Sequence, residues 1–253
     1  MRVKILGTGT SQGVPVIACD CMVCQSTDPN DKRLRTAALV QAESVNIVID
    51  AGPDFRQQML REKVKDIDAI LITHEHRDHI AGLDDVRAFN FMNHKPVDIY
   101  AEKRVQQAIK SDFAYSFADK KYPGAPQINL HDLNDEPFTI KGLKIIPIRA
   151  FHYKLPVYGF RIGDFSYITD LNYISEEEKQ KLHGTKYLVV DALRKSKHIS
   201  HYSLPEAIDL IKELSPKRAY ITHISHQMGL HHDVNEELPH GISLAYDGLR
   251  FEV

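Results

Sequence analysis

The chain has 253 residues, which suits one large α/β domain or at most two small ones. Hydrophobic residues make up 43% of it and charged residues 26%, which excludes a disordered chain, collagen and a coiled coil. The net charge is −2 and no basic block is present, so a nucleic-acid partner is disfavoured. The apolar runs are too short to cross a bilayer, and Met1–Leu6 lacks the long apolar core of a secretory signal.

Short runs rich in Val, Ile, Leu and Tyr, most of them bounded by Gly, Pro, Asp or Asn, predict β-strands along the whole chain. In chain order the predicted strands are Val3–Leu6, Ala37–Gln41, Asn46–Asp50, Ala69–Thr73, Val97–Ala101, Lys144–Ile148, Tyr158–Ile162, Ser166–Thr169, Tyr187–Val190, Ala219–Thr222, Ile242–Tyr246 and Leu249–Val253. Helices are predicted between them at Pro53–Glu62, Leu83–Phe91, Arg104–Phe117, Glu176–Leu182 and Leu204–Leu214. The dipeptides Gly163-Asp164 and Asp247-Gly248 are typical of hairpin turns.

Strands interspersed with helices, some of them paired by hairpins, predict an α/β fold in which mixed β-sheets are layered with helices. The two loop-rich stretches, Asp28–Arg35 and Tyr122–Pro137, are too short to separate domains. We find no repeat at the period of a solenoid. We therefore predict one domain over residues 1–253.

The segment Thr73–His79 carries the strongest chemical signal and follows the apolar run Ala69–Ile72 directly. The end of a strand is a rigid place from which to hang a loop of ligands. Imidazole nitrogen and carboxylate oxygen together suit divalent metals such as zinc, manganese or iron. A polar loop with chance histidines is the alternative, but the spacing favours a metal site. The candidate ligands in this loop are His74, His76, Asp78 and His79.

Three further candidate ligands, His152, Asp170 and His223, each stand at the end of a strand-like run. Each of them alone could be structural, but the repeated pattern of a strand ending in a ligand favours a shared metal centre. We predict two metal ions, the first held by His74, His76 and His152, the second by Asp78, His79 and His223, with Asp170 bridging them.

The three cysteines, Cys19, Cys21 and Cys24, are clustered. An odd, clustered set without an export signal favours a metal site over a disulfide framework, and with it a cytoplasmic protein. Three thiols at this spacing can supply three ligands of a tetrahedral zinc site, which then needs a fourth. Reduced cysteines without a metal are the alternative.

The His-x-His-x-Asp-His loop after a strand resembles the signature of the metallo-β-lactamase superfamily. The resemblance extends to Gly7–Pro15 and to the turn Asp50-Ala51-Gly52 ahead of the loop. It implies an αββα sandwich with a dinuclear site along one edge, and it supports the seven ligands named above. It also implies that Asp50 orients ligands rather than binding metal, although an ordinary turn residue would look the same.

The stretch Gly7–Pro15 resembles the opening of the phosphodiesterase branch, which includes tRNase Z and PhnP. The PhnP family resembles this chain in a Cys-x-Cys-x2-Cys insertion that a His completes shortly after the last catalytic ligand. His226 matches that place, and His231 and His232 are nearby competitors. The resemblance therefore implies one structural zinc besides the catalytic pair.

A third marker of this branch is His201, which stands just before the predicted helix Leu204–Leu214. In the phosphodiesterase branch a His at this place donates a proton to the leaving oxygen, a task that suits a group titrating near neutrality. An ordinary exposed His beside a helix cap is the alternative. His198 is also available for the role.

We expect a metal-dependent phosphodiesterase that hydrolyses a small or cyclic phosphate diester with a hydroxide held by two Mn²⁺ or Zn²⁺ ions. His201 and Asp78 are the residues predicted to act in catalysis.

A tRNase Z-like ribonuclease is disfavoured because no long basic, Gly-rich insertion is present. A PqqB-like protein is disfavoured because all seven candidate ligands are present. A non-catalytic metal-binding module is the remaining alternative. The expected partner is a small-molecule phosphodiester, with neither membrane nor nucleic acid, and the resemblance implies a homodimer.

Overall fold

The structure is a computed structural model that describes residues 1–42 and 45–253. The strands are β1 (Arg2–Gly7), β2 (Ala37–Ala42), β3 (Val45–Ile49), β4 (Ala69–Leu71), β5 (Val97–Ala101), β6 (Ile128–Asp132), β7 (Phe138–Ile140), β8 (Leu143–His152), β9 (Leu155–Ile162), β10 (Phe165–Ile168), β11 (Tyr173–Ile174), β12 (Tyr187–Asp191), β13 (Arg218–Thr222), β14 (Ile242–Leu244) and β15 (Arg250–Glu252). The α-helices are α1 (Met22–Gln25), α2 (Phe55–Arg61), α3 (Arg77–Ile80), α4 (Arg87–Asn93), α5 (Lys103–Asp112), α6 (Ala114–Phe117), α7 (Glu176–Leu182), α8 (Leu204–Leu214) and α9 (His231–Glu237). Short 3₁₀ helices cover Pro29–Asp31, Leu83–Val86 and His226–Met228.

The strands form two mixed sheets. The first has the order β15-β1-β2-β3-β4-β5-β6, and its strands from β3 to β6 run parallel. The second has the order β11-β8-β9-β10-β12-β13-β14, with β7 paired to β8, and its strands β10, β12, β13 and β14 run parallel. No helix within the described ranges is long and apolar enough to span a membrane.

Three apolar clusters separate four layers. In β2 the side chains of Ala38 and Val40 belong to the cluster between the two sheets, whereas Leu39 belongs to the cluster under the helices of the first sheet. This alternation is expected of a strand that is buried on both faces. The third cluster lies between the second sheet and its helices, where α8 contributes Ala207 and Ile211. The expected αββα sandwich is confirmed.

Two of the sequence predictions about local structure are wrong. The Asp247-Gly248 turn does not join a hairpin, because β14 pairs with β13 in the second sheet whereas β15 pairs with β1 in the first. The loop predicted over Tyr122–Pro137 contains β6, which pairs in parallel with β5. Its sequence carries few apolar residues because an edge strand buries little of its surface, so composition alone does not reveal it.

The carboxyl ends of several strands meet at one edge of the sandwich. Strand β8 runs in the same direction as β10, because both pair antiparallel with β9. Asp50 and His223 stand directly after β3 and β13, and Asp170 is the second residue after β10; their φ values are 65°, 56° and 58° respectively. Residues other than Gly seldom adopt this left-handed conformation, and such strain is concentrated at functional sites. The fold therefore turns three candidate site residues sharply out of their strands.

Gly52 is where the backbone after β3 touches α3, the helix that contains Asp78 and His79. A Cβ atom added to Gly52 would lie 1.9 Å from the carbonyl oxygen of Asp78. We expect Gly52→Ala to displace α3, to lower the free energy of unfolding by about 2 kcal/mol or more, and to reduce bound metal. Chemical denaturation and elemental analysis measure both effects.

Gly142→Ala is the matched control for Gly52→Ala. It introduces the same methyl group in a turn with φ +86°, where the added atom meets nothing within 4 Å. It should cost only about 1 kcal/mol of strain and leave metal content unchanged. Equal effects of the two variants would show that the contact with α3 is unimportant.

Candidate metal centres

His79 is held by a buried carboxylate behind it. Its Nδ1 atom lies 2.7 Å from Oδ2 of Asp50, and Oδ1 of Asp50 accepts a hydrogen bond of 2.9 Å from the backbone N–H of Thr73. The opposite ring atom, Nε2, is buried and has no hydrogen-bond partner among the described residues. A buried imidazole nitrogen without a partner is costly unless a ligand binds it. This is the arrangement expected if Asp50 orients a metal-binding His79.

The predicted second ligand group lies together around His79. The distances from His79 Nε2 are 3.2 Å to Oδ2 of Asp78 and 3.3 Å to Oδ2 of Asp170, and Nδ1 of His223 lies 3.1 Å from the same Asp170 oxygen. Two ligands of a tetrahedral zinc ion are about 3.4 Å apart, since each metal–ligand bond is near 2.1 Å. All four side chains are buried. Their spacing fits one divalent metal.

The predicted first group is also brought together. His74 Nε2 lies 3.0 Å from His76 Nδ1, and the ring of His152 has its centroid 5.1 Å from that of His76. Nδ1 of His152 lies 2.7 Å from the carbonyl oxygen of Ser200, which leaves the other ring nitrogen free to bind metal. Candidate ligand atoms of His152 and Asp170 also lie within 4.8 Å of each other. Asp170 therefore contacts the second group and lies within 4.8 Å of His152 of the first, with His201 in the same set, which is where a bridging ligand would stand.

The ionisation states of three cluster members suit metal binding directly. Burial lowers the pKa of His223 to about 4 and the pKa of His74 well below its usual value, so both are neutral imidazoles at neutral pH. Burial opposes ionisation of Asp170, but His223 and His79 outweigh it and keep the pKa of this carboxyl well below its usual value. Neutral imidazoles and ionised carboxylates are the forms that bind divalent cations. At His79, burial opposes the charged form, but Asp78, Asp170 and Asp50 raise its pKa well above the usual value, so metal binding there would displace a proton.

His201 is buried against the ligands, where the sequence predicts the proton donor. Its ring centroid lies 4.4 Å from that of His152 and 4.8 Å from that of His223. Burial alone would lower the pKa of His201, but the carboxylates of Asp191 and Asp170 raise it above its usual value. The competitor His198 is farther out, only partly buried, and its pKa is lowered chiefly by burial. The structure thus brings His201 rather than His198 to the cluster.

Asp191 is a site residue that the sequence analysis missed. It ends β12 and is fully buried, with Oδ1 accepting a hydrogen bond of 3.0 Å from Leu171 N–H and Oδ2 lying 3.6 Å from Nδ1 of His201. Burial raises the pKa of Asp191 to about 6. The signal was available, because Asp191 follows the predicted strand Tyr187–Val190 just as Asp170 follows its own strand.

The cysteine cluster lies apart from these groups and collects around one imidazole. The Nδ1 atom of His226 lies 3.2, 3.4 and 3.7 Å from Sγ of Cys19, Cys21 and Cys24 respectively. Sulfur and nitrogen ligands of a tetrahedral zinc ion are about 3.5 Å apart. The backbone N–H of Cys24 and the His226 side chain lower the pKa of Cys21 to about 6, which favours the thiolate that binds zinc. These four residues fit a closed zinc site.

The two competitors of His226 have other surroundings. His231 is buried, with Nδ1 lying 3.1 Å from Nη2 of Arg33 and Nε2 lying 2.9 Å from Nδ2 of Asn235. His232 is largely exposed, with its ring nitrogens near carboxylates of its own helix. Of the three candidates, only His226 is brought to the thiols.

The segment that carries His201 is tied to the segment between His223 and His226. The backbone N–H of Ser225 donates to the carbonyl oxygen of Leu193 over 3.0 Å. Nη1 of Arg194 donates to Oε1 of Gln227 over 2.8 Å. A metal at the cysteine cluster would therefore also stabilise the backbone that supports the proton donor.

Comparison with known proteins agrees with this fold. A family model described as a beta-lactamase superfamily domain matches residues 45–224, so the chain belongs to this superfamily. Within it, the chain groups with the PhnP family. A solved diphosphatase from that family is 41% identical, with a TM-score of 0.93, and the match covers 100% of this chain and 97% of that one. Such neighbours support a hydrolase of the metallo-β-lactamase fold.

The curated relatives are longer proteins, and the chain spans about half their length. An octanoyltransferase of Porphyromonas gingivalis is 40% identical over 98% of this chain and 51% of its own length. A coenzyme PQQ synthesis protein B of Xanthomonas oryzae is 27% identical, covering 58% of this chain and 51% of its own. A ribonuclease Z of Prochlorococcus marinus is 26% identical, and the match covers 62% of this chain and 48% of the ribonuclease. These names describe those whole proteins.

Replacing a cysteine tests the zinc site. We expect Cys21→Ser to lose one equivalent of metal, chiefly zinc, and to lower the free energy of unfolding, because metal binding at such a site contributes folding free energy. Elemental analysis and thermal unfolding measure the two effects. Met22→Ser, which changes an exposed neighbour in the same segment, should alter neither. An unchanged zinc content in Cys21→Ser would refute the site.

Replacing Asp170, the carboxylate shared by the two ligand groups, tests whether it bridges a pair of metal ions. Asp170→Ala should remove metal from both groups and lower hydrolytic activity by several orders of magnitude, because two-metal clamps act as a unit. Asp164→Ala, in the nearby exposed turn before β10, is the control and should retain both metal and activity. Full metal content and near-normal turnover in Asp170→Ala would rule out the bridging role.

Proposed function

We propose that the chain is a phosphodiesterase that hydrolyses a small phosphate diester at two divalent metals. The observation that carries this proposal is the position of His201, a buried imidazole against both ligand groups that neither predicted group needs as a ligand. A titratable group beside a metal pair is what a reaction with a poorly leaving alkoxide requires. Hydrolysis of a thioester gives no comparable reason for it, because the departing thiol ionises near neutral pH and can leave as a thiolate.

The metals would be held by the seven ligands described above. When bound, they supply charge stabilisation to the phosphoryl oxygens and favour ionisation of the attacking water. The neutral imidazoles of His74 and His223, the orphaned Nε2 of His79 and the ionised Asp170 are the features of this chain that fit such ions. Manganese and zinc both accept this mixture of nitrogen and oxygen ligands.

His201 holds the proton that the leaving oxygen receives. Asp191 faces the Nδ1 atom of its ring, so the opposite Nε2 is the atom that can point to substrate. The separation of 3.6 Å is long, and catalytic hydrogen bonds of this kind commonly shorten when substrate binds. Asp191 thereby orients the ring and stabilises its charged form.

Asp78 is the second residue proposed to act in the reaction. Among the three carboxylates around His79, its side chain is the most exposed, at 9% against 2% for Asp170 and 0% for Asp50. It is therefore the carboxylate that a water molecule entering the cluster meets first. We assign it the orientation of the attacking water in addition to its role as a ligand.

Changing the leaving group tests the proton donor. We expect His201→Ala to keep its metals and to lose about 10²–10⁴-fold in kcat/KM for a diester with an alkyl alcohol as the leaving group. For a 4-nitrophenyl diester the loss should be much smaller, because nitrophenolate needs little protonation as it departs. Steady-state kinetics with both substrates and elemental analysis measure these effects.

Two further variants distinguish the effect of losing His201 from the effects of changing its neighbours. Asp191→Asn should show the same dependence on leaving group with a smaller loss, because the ring remains but its charged form is less stabilised. His198→Ala is the matched control and should behave like the unchanged protein. Equal losses of His201→Ala on both substrates would indicate positioning instead, and no turnover of any diester would favour a non-catalytic metal-binding module.

A further inference from the structure

Two openings of different chemistry reach the His152–His201 pair, and the wall of the first also carries the cationic Lys154. One is a cavity of about 570 Å³ that reaches His152 and has Tyr153, Leu155 and Ile199 on its wall. The other is a cavity of about 270 Å³ that reaches His201, with polar side chains on its wall that include Ser11, Gln12 and Arg194. We call Tyr153, Leu155 and Ile199 the apolar shelf. A diester at the metal pair would therefore have an apolar and a polar side.

The apolar shelf is unusually exposed for side chains of its kind. The exposed fractions are 52% for Tyr153 and 67% for Ile199, and both line the cavity that reaches the partly buried His152. Large apolar side chains that remain exposed next to a reactive centre commonly bind the organic part of a ligand, and a tyrosine ring offers a flat face for another ring.

The backbone at Tyr153 is in an unfavourable conformation. His152 pairs with Leu155, so Tyr153 lies in the tight turn between β8 and β9, where its φ is +59°. A bulky residue seldom adopts this left-handed conformation. The side-chain oxygen of Asn172 accepts a hydrogen bond of 2.5 Å from the backbone N–H of Tyr153. The turn is thus fastened to the segment that follows the ligand Asp170.

The position of the proton donor decides which part of a substrate lies on which side. In hydrolysis the water oxygen forms a bond to phosphorus, the bond from phosphorus to the leaving oxygen breaks, and that oxygen takes the proton from His201. The leaving alcohol must therefore lie on the side of His201, in the polar opening. The organic group that stays on phosphorus would then lie in the opening next to His152.

We propose that the apolar shelf binds a ring-bearing group retained on phosphorus, with Tyr153 as the residue that determines this specificity. The substrate class is then an asymmetric diester with a nucleoside or aryl group on the retained side and a polar alcohol as the leaving group. This assignment rests on the proposed phosphodiesterase function and names the kind of diester that the same site takes.

The test uses two substrates with the same leaving group. Thymidine 5′-(4-nitrophenyl) phosphate and methyl 4-nitrophenyl phosphate both release nitrophenolate but retain a nucleoside or a methyl group. The unchanged protein should prefer the thymidine substrate by about 10-fold or more through a lower KM, the usual effect of stacking one base on an aromatic side chain. Tyr153→Gly should abolish most of this preference by raising KM for the thymidine substrate far more than KM for the methyl substrate.

Thermal stability provides a second readout, because Tyr153→Gly should not lower it even though the variant binds substrate more weakly. Glycine adopts a positive φ without strain, so Tyr153→Gly should unfold at the same temperature as the unchanged protein or higher, even as it binds the nucleoside substrate more weakly. Tyr153→Phe keeps the ring and should keep the preference. Tyr122→Ala removes an exposed tyrosine elsewhere and should change neither quantity.

Equilibrium binding distinguishes failure of this proposal from failure of the proposed function. Calorimetry of the metal-loaded protein should show thymidine 5′-monophosphate binding about 10-fold more tightly than methyl phosphate, and Tyr153→Gly should remove the difference. Equal binding of the two probes, or equal loss on both in the variant, would overturn the role of the shelf. Selective binding without turnover of either substrate would support the shelf and overturn the phosphodiesterase.

Discussion

The geometry of the site depends on the buried carboxylate of Asp170. It lies 3.1 Å from His223 and 3.3 Å from His79, and it is within reach of His152 and His201 as well. Ionised carboxylates are seldom buried unless positive charge or hydrogen bonds compensate them, and here His223 and His79 keep the pKa of Asp170 well below its usual value. The interior of the protein is therefore arranged around a charge that divalent metals would balance.

The rest of the architecture serves to bring chemically suited groups to that carboxylate. Parallel strands place their carboxyl ends at one edge, and left-handed residues turn the chain there, so that Asp50 and His223 approach from different sheets. The cysteine cluster fastens the backbone between His223 and His226, which in turn contacts the segment carrying His201. The candidate zinc site is thereby connected through hydrogen bonds to the segment that carries the predicted proton donor. The zinc ion itself would bind apart from the metal pair beside His201.

The same arrangement gives the site two unlike sides. A polar opening reaches His201 and the apolar shelf lies in the opening that reaches His152, so in the proposed phosphodiesterase the leaving alcohol and the retained group would lie in different openings. In metallo-β-lactamase-fold proteins the metal loop is shared, and the surrounding segments provide the differences between members. Here those segments are the turn between β8 and β9 and the chain leading into α8.

The sequence by itself determined which side chains are candidate ligands and most of the secondary structure, because residue spacing and apolar alternation are local properties. The helices Glu176–Leu182 and Leu204–Leu214 have the predicted bounds, and the seven candidate ligands lie together as expected. Only the tertiary structure decided that β14 and β15 enter different sheets, that His226 rather than His231 meets the cysteines, and that Asp191 faces His201. Each of these depends on how separate segments pack against one another in three dimensions. A local pattern shows that Asp191 follows a strand, but it does not show which side chain that carboxylate meets.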